Sequence, residues 1–212
     1  MHPAYGGLVG FTRAELDSYR GGTLPDLTGP NTRLLIAGIN PGLHTVAVQA
    51  HFSRRGNRFY AALYRAGILD RVIDASAGFQ PGDREYMLDR GLGITGLVLK
   101  ATARADELTD DELRAGAIAL TERVAAIRPK VVGMLGITAY RTGFGRPLAK
   151  VGRQEETIAG AELWVLPNPS GLNAHETVDS LAAAYRQAAI AAGIEVYDPP
   201  VPPAATPAAP AG

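Results

Sequence analysis

Two asparagines, Asn40 and Asn168, are the residues of this chain best placed to do chemistry. Each opens a turn, Asn40-Pro41-Gly42-Leu43 and Asn168-Pro169-Ser170-Gly171-Leu172, directly after a run of apolar residues. A carboxamide donates and accepts hydrogen bonds but takes no proton at neutral pH. Two of them facing one crevice could hold a water and donate to an oxygen on which charge builds. Catalysis would then come from positioning and electrostatics, not from a strong base. Asn-Pro and Pro-Gly are also ordinary turn signals. What favours a site is that both copies have the same context.

That context is a pair of runs, Leu34-Leu35-Ile36-Ala37-Gly38-Ile39 and Leu163-Trp164-Val165-Leu166, without polar alternation. Such runs fit strands covered on both faces, as in a parallel sheet between helix layers. Ligands of open α/β sheets bind beyond the carboxyl ends of the strands. Thr12 with Glu15 predicts a short helix within residues 11–19. A long loop is expected after the first strand, then a helix over 57–66 with Phe59, Leu63 and Ala66 on one face. A short helix over 84–88 and a strand within 93–98 come next. The Thr109/Glu112 pair caps a helix carrying a Leu113, Ala117, Leu120, Val124 and Ile127 stripe, which Pro129 ends. Val131 to Leu135 reads as a strand, with a short helix to about Arg141. Residues 156–159 and 163–166 suggest a hairpin turned at Gly160, and 177–192 the last helix, with Val178, Leu181 and Tyr185 inward. The alternation predicts a three-layer α/β/α sandwich with a mostly parallel central sheet.

The 212 residues suffice for one domain with a sizeable core. Residues 1–32 are expected as an extension packed on a domain spanning 33–197. The Pro/Ala-rich 198–212 is expected as a disordered tail. No apolar stretch is long enough to cross a membrane and no secretion signal is read, so a cytoplasmic, nucleoid-associated protein is expected. Cysteine is absent, which excludes disulfides and thiolate-held metal or iron–sulfur sites. The four histidines lack metal-ligand spacing, so neither metal nor cofactor is expected. The formal net charge is zero, but basic residues cluster at Arg54, Arg55 and Arg58, at Lys100 and Arg104, and at Arg141, Arg146, Lys150 and Arg153. One basic face would support salt-dependent DNA binding.

Gly38-Ile39-Asn40-Pro41-Gly42-Leu43 together with Leu166-Pro167-Asn168-Pro169-Ser170-Gly171-Leu172 resembles the two signature motifs of the mismatch-specific uracil/thymine DNA glycosylases, a branch of the uracil-DNA glycosylase superfamily. Asn57-Arg58-Phe59-Tyr60, Ala66-Gly67-Ile68, Leu92-Gly93-Ile94-Thr95 and Leu97-Val98 stand in the family's order. The resemblance covers roughly residues 33 to 190. It implies a uracil-DNA glycosylase-like fold and a flipped-out base. It gives Asn40 the water, Asn168 a hydrogen bond to the departing base, and Phe52 the stacking platform. Thr45 would line the pocket, with the backbone amides of Ile39 and Phe52 as further donors. Ser170, Gly171, Leu172 and Asn173 would form the wedge loop, Leu172 filling the vacated stack, with Arg58 contacting DNA. Gly96 and Ala174 stand where the family often carries Lys and Arg. Lysine is missing from both motifs, which argues against a Schiff-base, strand-cleaving mechanism.

The expected partner is double-stranded DNA with a mismatched or damaged base, bound by a monomer without membrane contact. The expected activity is monofunctional, hydrolytic excision of uracil, with ethenocytosine or xanthine as further candidates. The alternative reading is a catalytically weak or inactive lesion-DNA-binding module of the same fold.

Overall fold

The computed structural model describes residues 10–171 and 173–198. The expectations for residues 1–9, for Leu172 as wedge and for the tail beyond Asp198 therefore lie outside the described residues.

Five strands form one sheet: β1 (Leu34–Gly38), β2 (Leu92–Gly96), β3 (Val131–Leu135), β4 (Gly152–Ile158) and β5 (Ala161–Leu166). Their order is β2-β1-β3-β5-β4, parallel throughout except for the antiparallel edge pair β4/β5. The helices are α1 (Arg13–Asp17), α2 (Leu43–Val48), α3 (Phe59–Arg65), α4 (Asp83–Asp89), α5 (Asp110–Ile127), α6 (Ile137–Gly143) and α7 (Val178–Ala191). Side chains alternate across a strand, so each apolar run feeds two cores. Leu34 and Ile36 of β1, with Leu166 of β5, pack with residues of α3, α4 and α7. Leu35 and Ala37, with Leu163 and Val165, pack with residues of α5 and α6. Burial on both faces is why these runs lack alternation, and the three-layer α/β/α sandwich is the observed architecture.

The capping boxes at Thr12/Glu15 and Thr109/Glu112 form as expected. Two elements differ from expectation. Residues 43–48 are not loop but helix α2, although Thr45, Val46 and Val48 are poor helix formers. Leu43 and Val46 are buried with Ala101 and packed against Leu16 and Tyr19 of the N-terminal segment. Tertiary packing outweighs propensity there. β4 begins at Gly152, well before residue 156. Its stretch Arg153-Gln154-Glu155-Glu156-Thr157 is wholly polar, so no apolar alternation marks it, as suits a charged edge strand. The hairpin does turn at Ala159 (φ 46°) and Gly160 (φ 86°), both left-handed.

Residues from Leu24 onward enter the core: Leu24 and Leu27 are buried, and Leu27 bridges Ile94 of β2. At the other end Tyr197 is docked. Its N–H donates to Gly67 O at 2.8 Å, its carbonyl accepts from Arg186 Nη1 at 2.9 Å, and the Arg90 guanidinium lies 4.4 Å from its ring centroid. A chain ending at Asp198 should thus melt within about 1 °C of the full-length protein, while one ending at Val196 loses these contacts, worth roughly 1–3 kcal/mol together. Thermal denaturation of the two truncations checks this. A large drop for the first would contradict it.

Candidate active site

Asn40 follows β1 and Asn168 follows β5, on either side of β3. Two strand spacings separate those ends, about 10 Å. Between them opens a cleft of about 360 Å³ whose lining includes Ile39, Asn40, Thr45, Phe52, Leu135, Asn168 and Ser170.

The orientation of each amide is fixed by an unambiguous partner. Asn40 Nδ2 donates to Lys100 O at 2.9 Å and to Thr102 Oγ1 at 2.7 Å. A backbone carbonyl only accepts, so the group facing Lys100 O must be the NH₂. Among the described residues Asn40 Oδ1, an acceptor, is thereby left without a hydrogen bond, on a residue that lines the cleft. Thr102 is buried and donates onward to Arg104 O at 2.7 Å. At Asn168 the reverse holds. Ser170 N–H donates to Asn168 Oδ1 at 3.0 Å, so the oxygen is the engaged atom and Nδ2 is the one left to donate. A Cβ built on Gly136 would lie 3.6 Å from that Nδ2 and 3.2 Å from Ile39 Cδ1, and Gly136 has φ +94°. Glycine suits both the turn and the crowding there. Tyr185 Oη of α7 donates to Pro167 O at 2.9 Å, tying the motif to the helix layer.

Phe52 stacks on Phe59, centroids 3.9 Å apart and planes 27° apart, and lines the cleft. Its φ of 54°, like that of Gln49, is left-handed. Such backbone persists only where the surroundings over-determine it. Here Tyr60 Oη donates to His51 O at 2.9 Å, Arg84 Nη2 to Gln49 O at 2.7 Å, and His51 Nε2 to Pro25 O at 3.1 Å. Thr45 is buried at the cleft wall, its Oγ1 accepting from Ser53 Oγ at 3.5 Å.

Because Pro25 O can only accept, His51 carries its proton on Nε2. Burial is the main cause that pulls its pKa down to about 4, with the Arg84 charge adding to it against the Pro25 hydrogen bond. His51 is neutral at pH 7. Folding buries the neutral ring, so the unfolded chain (pKa about 6.5) binds the extra proton. Its contribution is fully present above pH 6.5 and is lost as pH falls toward 4. Between pH 7 and pH 5 that amounts to roughly 1–2 kcal/mol. Urea titrations should show His51→Gln losing correspondingly less stability than the parent over that range. Equal losses would contradict the assignment. His44 is also shifted down, by burial and then by Arg54, and its Nδ1 lies 2.9 Å from Ser53 Oγ.

A family model described as the uracil DNA glycosylase superfamily matches residues 25–191. The chain belongs to the uracil DNA glycosylase superfamily. Its backbone is similar to the solution NMR structure of a candidate uracil DNA glycosylase from Methanosarcina acetivorans, with a TM-score of 0.54 at 16% identity, over 79% of this chain and 97% of that one. At that identity the likeness speaks for the fold.

On this superfamily fold the structure brings Ile39, Asn40, Thr45, Phe52, Asn168 and Ser170 to one cleft. Gly171 and Asn173 lie beside it in the loop after β5, Asn173 Nδ2 donating to Asn168 O at 3.2 Å. Arg58, expected as a DNA contact, is engaged within the protein. Its Nη2 donates to Ser170 O and Asn173 O, both at 2.7 Å, and its Nη1 to Glu176 O. The guanidinium faces the protein because the loop's carbonyls turn inward over it. The expected basic face is also reduced. Lys100 pairs with Glu112, Arg104 with Asp106, Arg146 with Glu156 and Arg153 with Glu162. Apart from Asp106, which neighbours Arg104 in sequence, the acids lie 9 to 12 residues from the cations they pair with. Among the described residues, exposed Arg54 and Arg55 beside the cleft enter no ion pair.

Sequence reasoning missed Thr102 and the Lys100 carbonyl, which aim Asn40 from sixty residues away and carry no local signal. It also missed Asp26, which lines the cleft edge. That carboxylate accepts from Thr95 Oγ1 at 2.7 Å and lies 3.7 Å from Arg123 Nε, joining the N-terminal segment to β2 and α5.

Proposed function

We propose that the protein is a monofunctional, mismatch-specific DNA glycosylase that flips uracil out of mispaired duplex DNA and hydrolyses its N-glycosidic bond without a cofactor. The observation that carries this reading is the opposed polarity of the two amides: an acceptor at Asn40 Oδ1 and a donor at Asn168 Nδ2, across one cleft floored by Phe52. A base inside a duplex is out of reach, and extruding it costs a few kcal/mol. Stacking on Phe52 returns about 1–3 kcal/mol. As the bond between C1′ and the base nitrogen breaks, its electron pair moves onto the base. Asn168 Nδ2 donates to the carbonyl on which that charge gathers. The water accepted by Asn40 Oδ1 forms the new bond to C1′, and its proton is released and finally taken up by the base anion. Asn40 takes no proton, so the rate rests on position and on the quality of the leaving group.

Leu172→Ala should lower single-turnover excision from paired duplex about tenfold more than from single-stranded DNA. A side chain filling the vacated stack offsets flipping cost only where there is a stack to open. An unchanged ratio in a stably folded variant would remove the wedge from this account. The substrate itself is tested by single-turnover excision across a panel of U·G, U·A, T·G, ethenocytosine·G and xanthine-bearing duplexes. The reading expects U·G among the fastest and U·A slower; equal rates for the two would contradict mismatch specificity. The second reading is a lesion-binding module of the same fold with little turnover. Tight lesion binding without base release in the same panel would select it.

A further inference from the structure

We propose that Arg58 is the positioning residue for the 168–176 loop, and that this internal strut governs how well the protein acts on paired DNA. The inference rests on the glycosylase reading above for its activity arm. Arg58 reaches four carbonyls of one loop. Its backbone N–H donates to Pro169 O at 3.0 Å, Nη2 to Ser170 O and Asn173 O at 2.7 Å each, and Nη1 to Glu176 O. Pro169, Ser170, Asn173 and Glu176, spread along the loop between β5 and α7, are thus all held by one residue.

The chemistry is costly, which argues that it is specific. A partly buried cation is ordinarily paired with a carboxylate. Among the described residues Arg58 has no such partner, and its Nε is buried without a hydrogen bond. Carbonyl dipoles alone hold the charge. A planar fork can address carbonyls in several directions, which a lysine ammonium on a flexible stem does poorly.

The strut also links the loop to the base platform. Arg58 is the N-cap of α3, and the next residue, Phe59, carries the ring on which Phe52 stacks. On the opposite side the loop is seated on the turn before Arg58: a Cβ on Gly171 would come within 2.8 Å of Gly56 O. The loop's hydrogen bonds that do not involve the guanidinium include Ser170 N–H to Asn168 Oδ1, Asn173 N–H to Ser170 O, Asn173 Nδ2 to Asn168 O and Ser180 Oγ to Glu176 Oε2. The first of these engages the amide oxygen of Asn168 and so leaves its Nδ2 as the donor. Loss of the strut therefore loosens the loop that meets the duplex and, less directly, the donor to the base.

The test uses full-length Arg58→Met and Arg58→Lys. Hydrogen exchange is followed in peptides covering 168–177, α3 and α7, and single-turnover uracil release is measured from U·G duplex and from single strands. The expected result for Arg58→Met is at least tenfold faster exchange confined to 168–177, and a duplex rate falling at least tenfold further than the single-strand rate. Arg58→Lys should recover only part of either effect. Unchanged exchange in 168–177 would overturn the proposal, as would exchange rising equally in α3 and α7, or equal loss on both substrates. If the parent releases no base from either substrate, the glycosylase reading fails and the exchange data alone decide the strut. If Arg58→Met does not fold, Arg58→Lys is held to the same two comparisons.

Discussion

Asn40→Ala is expected to lower single-turnover uracil excision by about 100-fold or more while leaving affinity for lesion duplex within a fewfold, the scale on which misplacing a reactant by an ångström acts. Asn40 lines the cleft, and with Nδ2 engaged its Oδ1 is the amide atom that makes no hydrogen bond among the described residues. Removing it removes the acceptor proposed for the water without touching Phe52 or the 168–176 loop. Thr102→Val deletes one of the two acceptors that aim the amide and keeps the Lys100 carbonyl, so its loss should be intermediate. Single-turnover rates with a parallel binding titration check the series. A near-parental rate for Asn40→Ala would show that the water is held elsewhere.

The second large effect is expected at Asn168, where the informative change is Asn168→Asp. Aspartate keeps the Oδ1 that accepts from Ser170 N–H, so the turn and the melting temperature should be retained. It replaces the Nδ2 donor by a second carboxylate oxygen where, on the proposed reading, negative charge develops on the base carbonyl. Removing one such donor costs about 10²–10³ in rate where it has been measured in acyl transfer, and placing an anion there should cost at least as much. The rate should recover as pH falls toward the carboxylate range, because the protonated acid regains an O–H donor. A pH-independent loss of less than about tenfold would place Asn168 outside the chemistry.

What was legible in the sequence follows from where the determining forces are local. β1 and β5 are buried on both faces, so their apolar runs mark them, and the two asparagines beyond their ends were readable from that alone. The helices opened by Thr12/Glu15 and Thr109/Glu112 carry their caps within four residues. α2 was not legible, because its β-branched residues disfavour a helix and its support comes from Ala101, Leu16 and Tyr19, distant in sequence. β4 was only partly legible, because an edge strand of charged residues has no apolar rhythm. The aim of the Asn40 amide was hidden because it is set by Lys100 and Thr102, sixty residues away, whereas that of Asn168 is set locally by Ser170 N–H. The role of Arg58 depends on carbonyls more than 110 residues away, and a basic residue in sequence does not reveal whether it faces a phosphate or its own protein.

The central claim is that this cleft breaks the bond between base and sugar by hydrolysis and leaves the strand intact. The direct measurement is a labelled duplex carrying one U·G mispair, incubated with excess protein, then split into samples analysed with and without hot alkali. The account predicts free uracil in the supernatant, full-length strand before alkali, and cleavage at the uracil position after it. Intact strand after alkali, with no free base, would contradict the claim, and cleavage before alkali would contradict the hydrolytic, lysine-free mechanism.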